Sequence, residues 1–146
     1  MKIGKKERTL IGWREWIGFP ELGVERIKAK IDTGARTSVI HAFNVQKIDD
    51  ADEPRVEFYL HPVQHRRQPE LHCVASIVDE RVIRSSNGER EMRYVIMTPM
   101  QIGEDVWPIE LTLSDRDQMG FRLLVGRAAI RGRCIVDPGS SFFLGR

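Results

Sequence analysis

The 146-residue sequence is 41% hydrophobic and 30% charged, which excludes a disordered or membrane-embedded chain and suits one soluble globular domain over residues 1–146. Its formal net charge of +2 is too small to point to nucleic acid. The basic start around Lys5, Lys6 and Arg8 meets an apolar run broken by Trp13-Arg14-Glu15, so no signal-peptide core forms, and a cytoplasmic protein with no membrane partner is expected.

Residues 11–17 alternate well enough for an edge strand, and Pro20 and Gly23 punctuate a turn. Residues 24–31 set Ile27, Ala29 and Ile31 against Arg26, Lys28 and Lys30, the period-two pattern of a strand that delivers Asp32 to its end. Short strands are predicted over 37–42 and 43–48, a polar loop over 49–54 and another strand over 55–60. The His, Pro, Gln and Arg composition of 61–71 reads as a surface loop. Apolar residues 73–78 and then 81–84 lead into Asn87-Gly88, a hairpin signal answered by alternation over 91–98 that Pro99 is expected to end. A turn at Gly103-Glu104-Asp105 opens a strand over 106–113, and residues 114–120 form a polar loop. Residues 121–125 read as a buried strand stopping at Gly126, and 127–131 as one or two helical turns closed by Gly132. Two final short strands are expected around Pro138-Gly139. With no repeat or linker, so many short strands predict a closed or nearly closed all-β barrel. Cys73 and Cys134 lie far apart and read as reduced thiols.

The chemistry concentrates at Asp32-Thr33-Gly34. A carboxylate at a strand end, beside a hydroxyl and a glycine that permits a tight turn, suits acid/base work. Two carboxylates held together share one proton, so one draws a proton from water while the other donates to a peptide carbonyl. The chain has one Asp-Thr-Gly, so the second carboxylate must come from a second copy, most simply in a two-fold dimer. Alone, the tripeptide suits an aspartate that caps a turn better than a catalytic one. Asp137, before Pro138-Gly139, lacks a following Ser/Thr-Gly and reads as a turn residue.

The ordered set Ala29-Lys30-Ile31-Asp32-Thr33-Gly34-Ala35-Arg36-Thr37-Ser38, Arg84-Ser85-Ser86-Asn87-Gly88-Glu89, Leu111-Thr112-Leu113 with Arg116-Asp117, and Leu124-Val125-Gly126-Arg127 resembles the bacterial retropepsin-like aspartic proteases often labelled ATP-dependent zinc proteases. The resemblance implies an acid-protease closed β-barrel with one short C-terminal helix and a homodimeric endopeptidase without a cofactor. It assigns catalysis to Asp32, Thr33 and Gly34, and places Ala35, Arg36, Arg84, Ser86, Asn87, Gly88 and Arg93 on the substrate side, the Asn87-Gly88 hairpin serving as the flap. The family is associated with ligases that add glutamate tails to proteins, so glutamate-rich tails are an expected substrate.

Some positions depart from that pattern. Where many viral relatives carry an acid that pairs with the arginine of Gly-Arg, this chain has Arg36, so Arg127 is expected to find another acid and Arg36 to face the cleft. Arg84, Arg90 and Arg93 would add positive charge there and favour acidic substrate side chains, although each taken singly also suits a solvated surface. Neither His-Glu-x-x-His nor a phosphate-binding Gly-rich loop occurs, and His61, His65, His72 and Cys73 match no common zinc spacing, so no metal is expected. Two readings from other classes remain: a non-catalytic β-barrel module that binds an acidic peptide or protein partner, and a zinc hydrolase.

Overall fold

A computed structural model of the chain describes residues 2–3, 7–49, 52–84, 87–115 and 120–145. Strand β1 (Lys2–Ile3) pairs with β2 (Arg8–Phe19), which turns through a single 3-10 turn at Pro20–Leu22 into β3 (Val24–Asp32). Strands β4 (Ser38–His41), β5 (Phe43–Asp49) and β6 (Pro54–Leu60) follow, then the two long arms β7 (Leu71–Arg84) and β8 (Arg90–Ile102). The chain ends with β9 (Asp105–Ser114), β10 (Leu123–Gly126), helix α1 (Arg127–Ile130) and β11 (Cys134–Ser141).

Six strands close on themselves in the order β2-β3-β10-β4-β9-β8, the ring completed by pairing of Ile17 with Ile102 and Gly18 with Gln101. The expected closed all-β barrel with one short helix is therefore the fold. Alternation along the strands turns Ile11, Ile17, Ile27, Ala29, Ile40, Leu111 and Leu123 inward, each 2% exposed or less, and the same core continues to Val56 and Phe58 under the β5-β6-β7 extension. Each of these side chains apart from Ala29 contributes about 1.5–3 kcal/mol of burial.

Four expectations need correction. Strand β2 is not an edge: it pairs with β1 and β3 along one side and with β11 and β8 along the other. Residues 73–84 form a single strand with an irregularity between Ile77 and Asp79, not two runs. Pro99 does not end β8, which runs on to Ile102; it sits opposite Pro108, so the missing N–H groups of both residues fall on one rung and the ladder continues on either side. The last two short strands are one strand, β11, whose parallel pairing with β2 breaks between Asp137 and Ser141.

Candidate active site

Strand β3 carries Ile31 into the core and leaves Asp32 half-buried at its end, level with Gly126 in the parallel pair with β10. The chain turns at once. The N–H of Ala35 donates to the carbonyl of Asp32 at 3.2 Å, and the N–H of Gly34 donates to Asp32 Oδ1 at 3.1 Å. A Cβ on Gly34 would stand 3.3 Å from that oxygen, so glycine is what lets the carboxylate fold over its own turn. Asp32 Oδ2 has no hydrogen-bond partner among the described residues, and no second carboxylate is bonded to Asp32 among them.

Helix α1 locks this loop from beneath. Its first N–H groups lack partners within so short a helix and donate instead to loop carbonyls, Arg127 to Ala35 at 2.8 Å and Ala128 to Arg36 at 3.1 Å. The Arg127 guanidinium reaches the carbonyls of Gly34 at 3.1 Å and Thr33 at 3.4 Å. The acid expected to pair with Arg127 is thus replaced by two carbonyl oxygens, since Arg36 occupies the position an acid would fill. Ser38 ties the two halves together: its Oγ accepts the N–H of Gly126 at 3.0 Å and its carbonyl accepts Thr112 Oγ1 at 2.8 Å. A Cβ on Gly126 would come within 2.7 Å of Arg36 O, which shows how closely the loop backbone crosses β10.

Asp32, Thr33, Gly34, Ala35 and Arg36 therefore form one continuous loop, with Thr33, Gly34 and Arg36 exposed. The hairpin residues are separate from it. Arg84 pairs with Arg90 at the end of the β7 and β8 arms, Gly88 takes the positive φ of 86° that favours glycine, and Asn87 Oδ1 accepts the N–H of Glu89 at 3.1 Å. Ser86 lies outside the described residues. Arg93 donates through Nε to Glu91 at 3.1 Å and is 14% exposed, whereas Arg36 makes no ion pair among the described residues.

Between the hairpin arms and the loop lies a pocket of about 310 Å³ that sequence reasoning missed. Arg36, Arg81, Arg131 and Arg133 line it with Glu110 and Trp107. Arg131 and Arg133 flank Gly132 shortly after the Gly-Arg motif, a doublet visible in the sequence. Their convergence with Arg81 depends on how the arms fold back over β9.

His61, His65, His72 and Cys73 do not fit the zinc that the family label implies. His61 Nε2 faces Glu70 at 3.1 Å and His72 Nε2 faces Glu57 at 2.8 Å. Cys73, next along the strand and so on the opposite face from His72, turns inward towards the carbonyl of Leu22 at 3.5 Å. Among the described residues no three His, Cys, Asp or Glu side chains converge as a metal site. Asp137 is a turn residue: Gly139 N–H and Ser140 Oγ donate to its two oxygens at 2.9 and 2.8 Å and hold its carboxyl below the usual range.

A family model described as RimB-like, the retropepsin-like aspartic endopeptidase RimB, matches residues 10–146. A protein of Shewanella pealeana named probable alpha-L-glutamate ligase is 52% identical over 138 residues, covering 94% of this chain and 30% of the ligase. A protein of the same name from Desulfotalea psychrophila is 46% identical over 138 residues, with the same coverage. The chain thus spans about 30% of the length of these curated relatives. Among solved structures, a Legionella pneumophila protein of unknown function superposes with a TM-score of 0.76 at 23% identity, over 93% of this chain and 98% of that one, a likeness of fold.

Proposed function

The chain belongs to the RimB-like family of retropepsin-like aspartic endopeptidases, and we propose on that footing that it hydrolyses peptide bonds as a homodimer, with one Asp32 from each copy. The observation that carries the reading is the state of Asp32: one oxygen is held by Gly34, the other is unengaged among the described residues, and the loop beneath is locked by Arg127. Two such carboxylates across a two-fold axis titrate as a coupled pair, with one proton between them at working pH. The ionised member takes a proton from the attacking water. The protonated member hydrogen-bonds the scissile carbonyl as negative charge develops on its oxygen. The β7-β8 hairpin acts as the flap that closes over substrate and excludes water.

Glutamate-rich tails are the proposed substrate. Two facts support this: the arginines beside the Asp32 loop, and a region like this chain within larger relatives named for glutamate ligation. That same name favours a second reading, in which the barrel binds an acidic tail without cutting it. Asp32→Asn separates the two. Loss of oligoglutamate cleavage by about a thousandfold or more with binding retained supports the protease; a parent protein that cuts no peptide between pH 3 and 8 refutes it in favour of the binding module.

A further inference from the structure

The pocket beside the catalytic loop holds more positive charge than its own structure uses. Arg81 is committed, donating to Asp79 at 2.7 Å and to Glu110 at 2.9 Å. Arg36, Arg131 and Arg133 are exposed and make no ion pair among the described residues. Their backbones are fixed: the Arg36 carbonyl accepts from Ala128 at 3.1 Å, Arg131 N–H donates to Arg127 O at 2.9 Å, and Arg133 N–H to Ile130 O at 3.0 Å. Arg133 lies over the Trp107 ring, 4.8 Å from its centroid, and the indole is pinned by its N–H to Ala129 O at 2.8 Å. A guanidinium attracted to an aromatic ring in this way still has N–H groups to offer a carboxylate.

Arg36, Thr37 and Ser38 line the pocket whereas Asp32, Thr33 and Gly34 do not, so it lies beside the catalytic aspartate and not over it. Resting on the dimeric protease reading above, we infer that the two-fold duplicates this pocket on the far side of the dyad, so that a substrate strand meets guanidinium groups on both sides of the scissile bond. The enzyme then requires acidic side chains on both sides. It cuts inside an acidic run, not at the junction between that run and a neutral chain, and leaves an acidic stub on the protein it trims.

Four peptides of equal length test this: glutamates on both sides of the centre, on the N-terminal half only, on the C-terminal half only, and glutamine throughout. The first is expected to be cut about ten times faster or more than either half-acidic peptide. Arg36→Gln with Arg131→Gln, on protein whose circular dichroism and melting are unchanged, should slow its cleavage about tenfold. Half-acidic peptides cut at the glutamate–glutamine junction as fast as the fully acidic one would overturn the two-sided requirement. A second measurement separates the pocket from the protease reading: fluorescent hexaglutamate bound to Asp32→Asn should lose about tenfold in affinity in the same double-arginine background. Undiminished affinity overturns the pocket. Arginine-dependent binding by a parent protein that cuts nothing overturns the protease and leaves the pocket standing.

Discussion

At the scale of single residues, Asp32 is aimed by backbone groups that neighbouring side chains hold. Arg127 donates to two exposed carbonyls, bonds worth about 0.5–1 kcal/mol each to stability. Their value to chemistry is larger, because a loop displaced by about an ångström misplaces the reacting oxygen. Arg127→Gln should lower the melting temperature by only about 2–4 °C and cut kcat on an oligoglutamate peptide by roughly ten- to a hundredfold, with KM little changed. A kcat that falls no further than the folded fraction does would reduce Arg127 to a structural role. The thiols report on burial. Desolvation pushes Cys73 up to about 11, and Cys134, also helped by Asp105, up to about 11. The folded state therefore holds these protons more tightly than the unfolded chain, whose thiols titrate near the ordinary value of 9.0. Their contribution is whole below that pH and is lost as pH rises towards 11. Urea unfolding between pH 8 and 11 should show this loss, and Cys73→Ala with Cys134→Ala should make the curve flatter.

At the scale of elements, the C-terminal segment is held by one buried carboxylate. Glu15 is fully buried on β2 and accepts N–H groups from Gly12 at 2.6 Å, Phe143 at 2.8 Å and Leu144 at 3.3 Å, while Phe142 stacks on Trp16 at 5.3 Å. Glu15→Gln turns one acceptor into a donor that faces N–H groups. It should cost about 2–4 kcal/mol in chemical denaturation and expose the amides of Phe143 and Leu144 to hydrogen exchange. Protection that survives in the variant would mean the segment is held by aromatic packing instead. The strand that delivers Asp32 was readable in the sequence because one face of β3 is core and the other is not. The centrality of β2 was not, because pairing with β8 and β11 runs through backbone groups that leave no trace in side-chain pattern. Pro99 misled for a related reason: its place on the same rung as Pro108 is set by strand pairing and leaves no trace in the side-chain pattern.

At the scale of the whole molecule, barrel closure decides which residues share a site. Asp32 and Gly126 lie far apart in the chain yet level in adjacent parallel strands, a neighbourhood the resemblance could announce but spacing could not. The arginine pocket needed still more of the fold, since Arg81 belongs to a hairpin arm and Arg131 and Arg133 to the turn after α1. What the single barrel does not supply is a second carboxylate bonded to Asp32 among the described residues, and this makes subunit exchange the sharpest test of the mechanism. If each active unit needs Asp32 from both copies, a hybrid with one Asp32→Asn subunit is dead. Parent and Asp32→Asn protein mixed one to one and allowed to exchange should then keep about one quarter of the parent's activity per total protein. A barrel that works alone would keep about one half. Dilution adds an independent reading, because specific activity should fall in proportion to concentration once the dimer dissociates, and a linear mixing curve with dilution-independent activity would place the whole reaction within one copy.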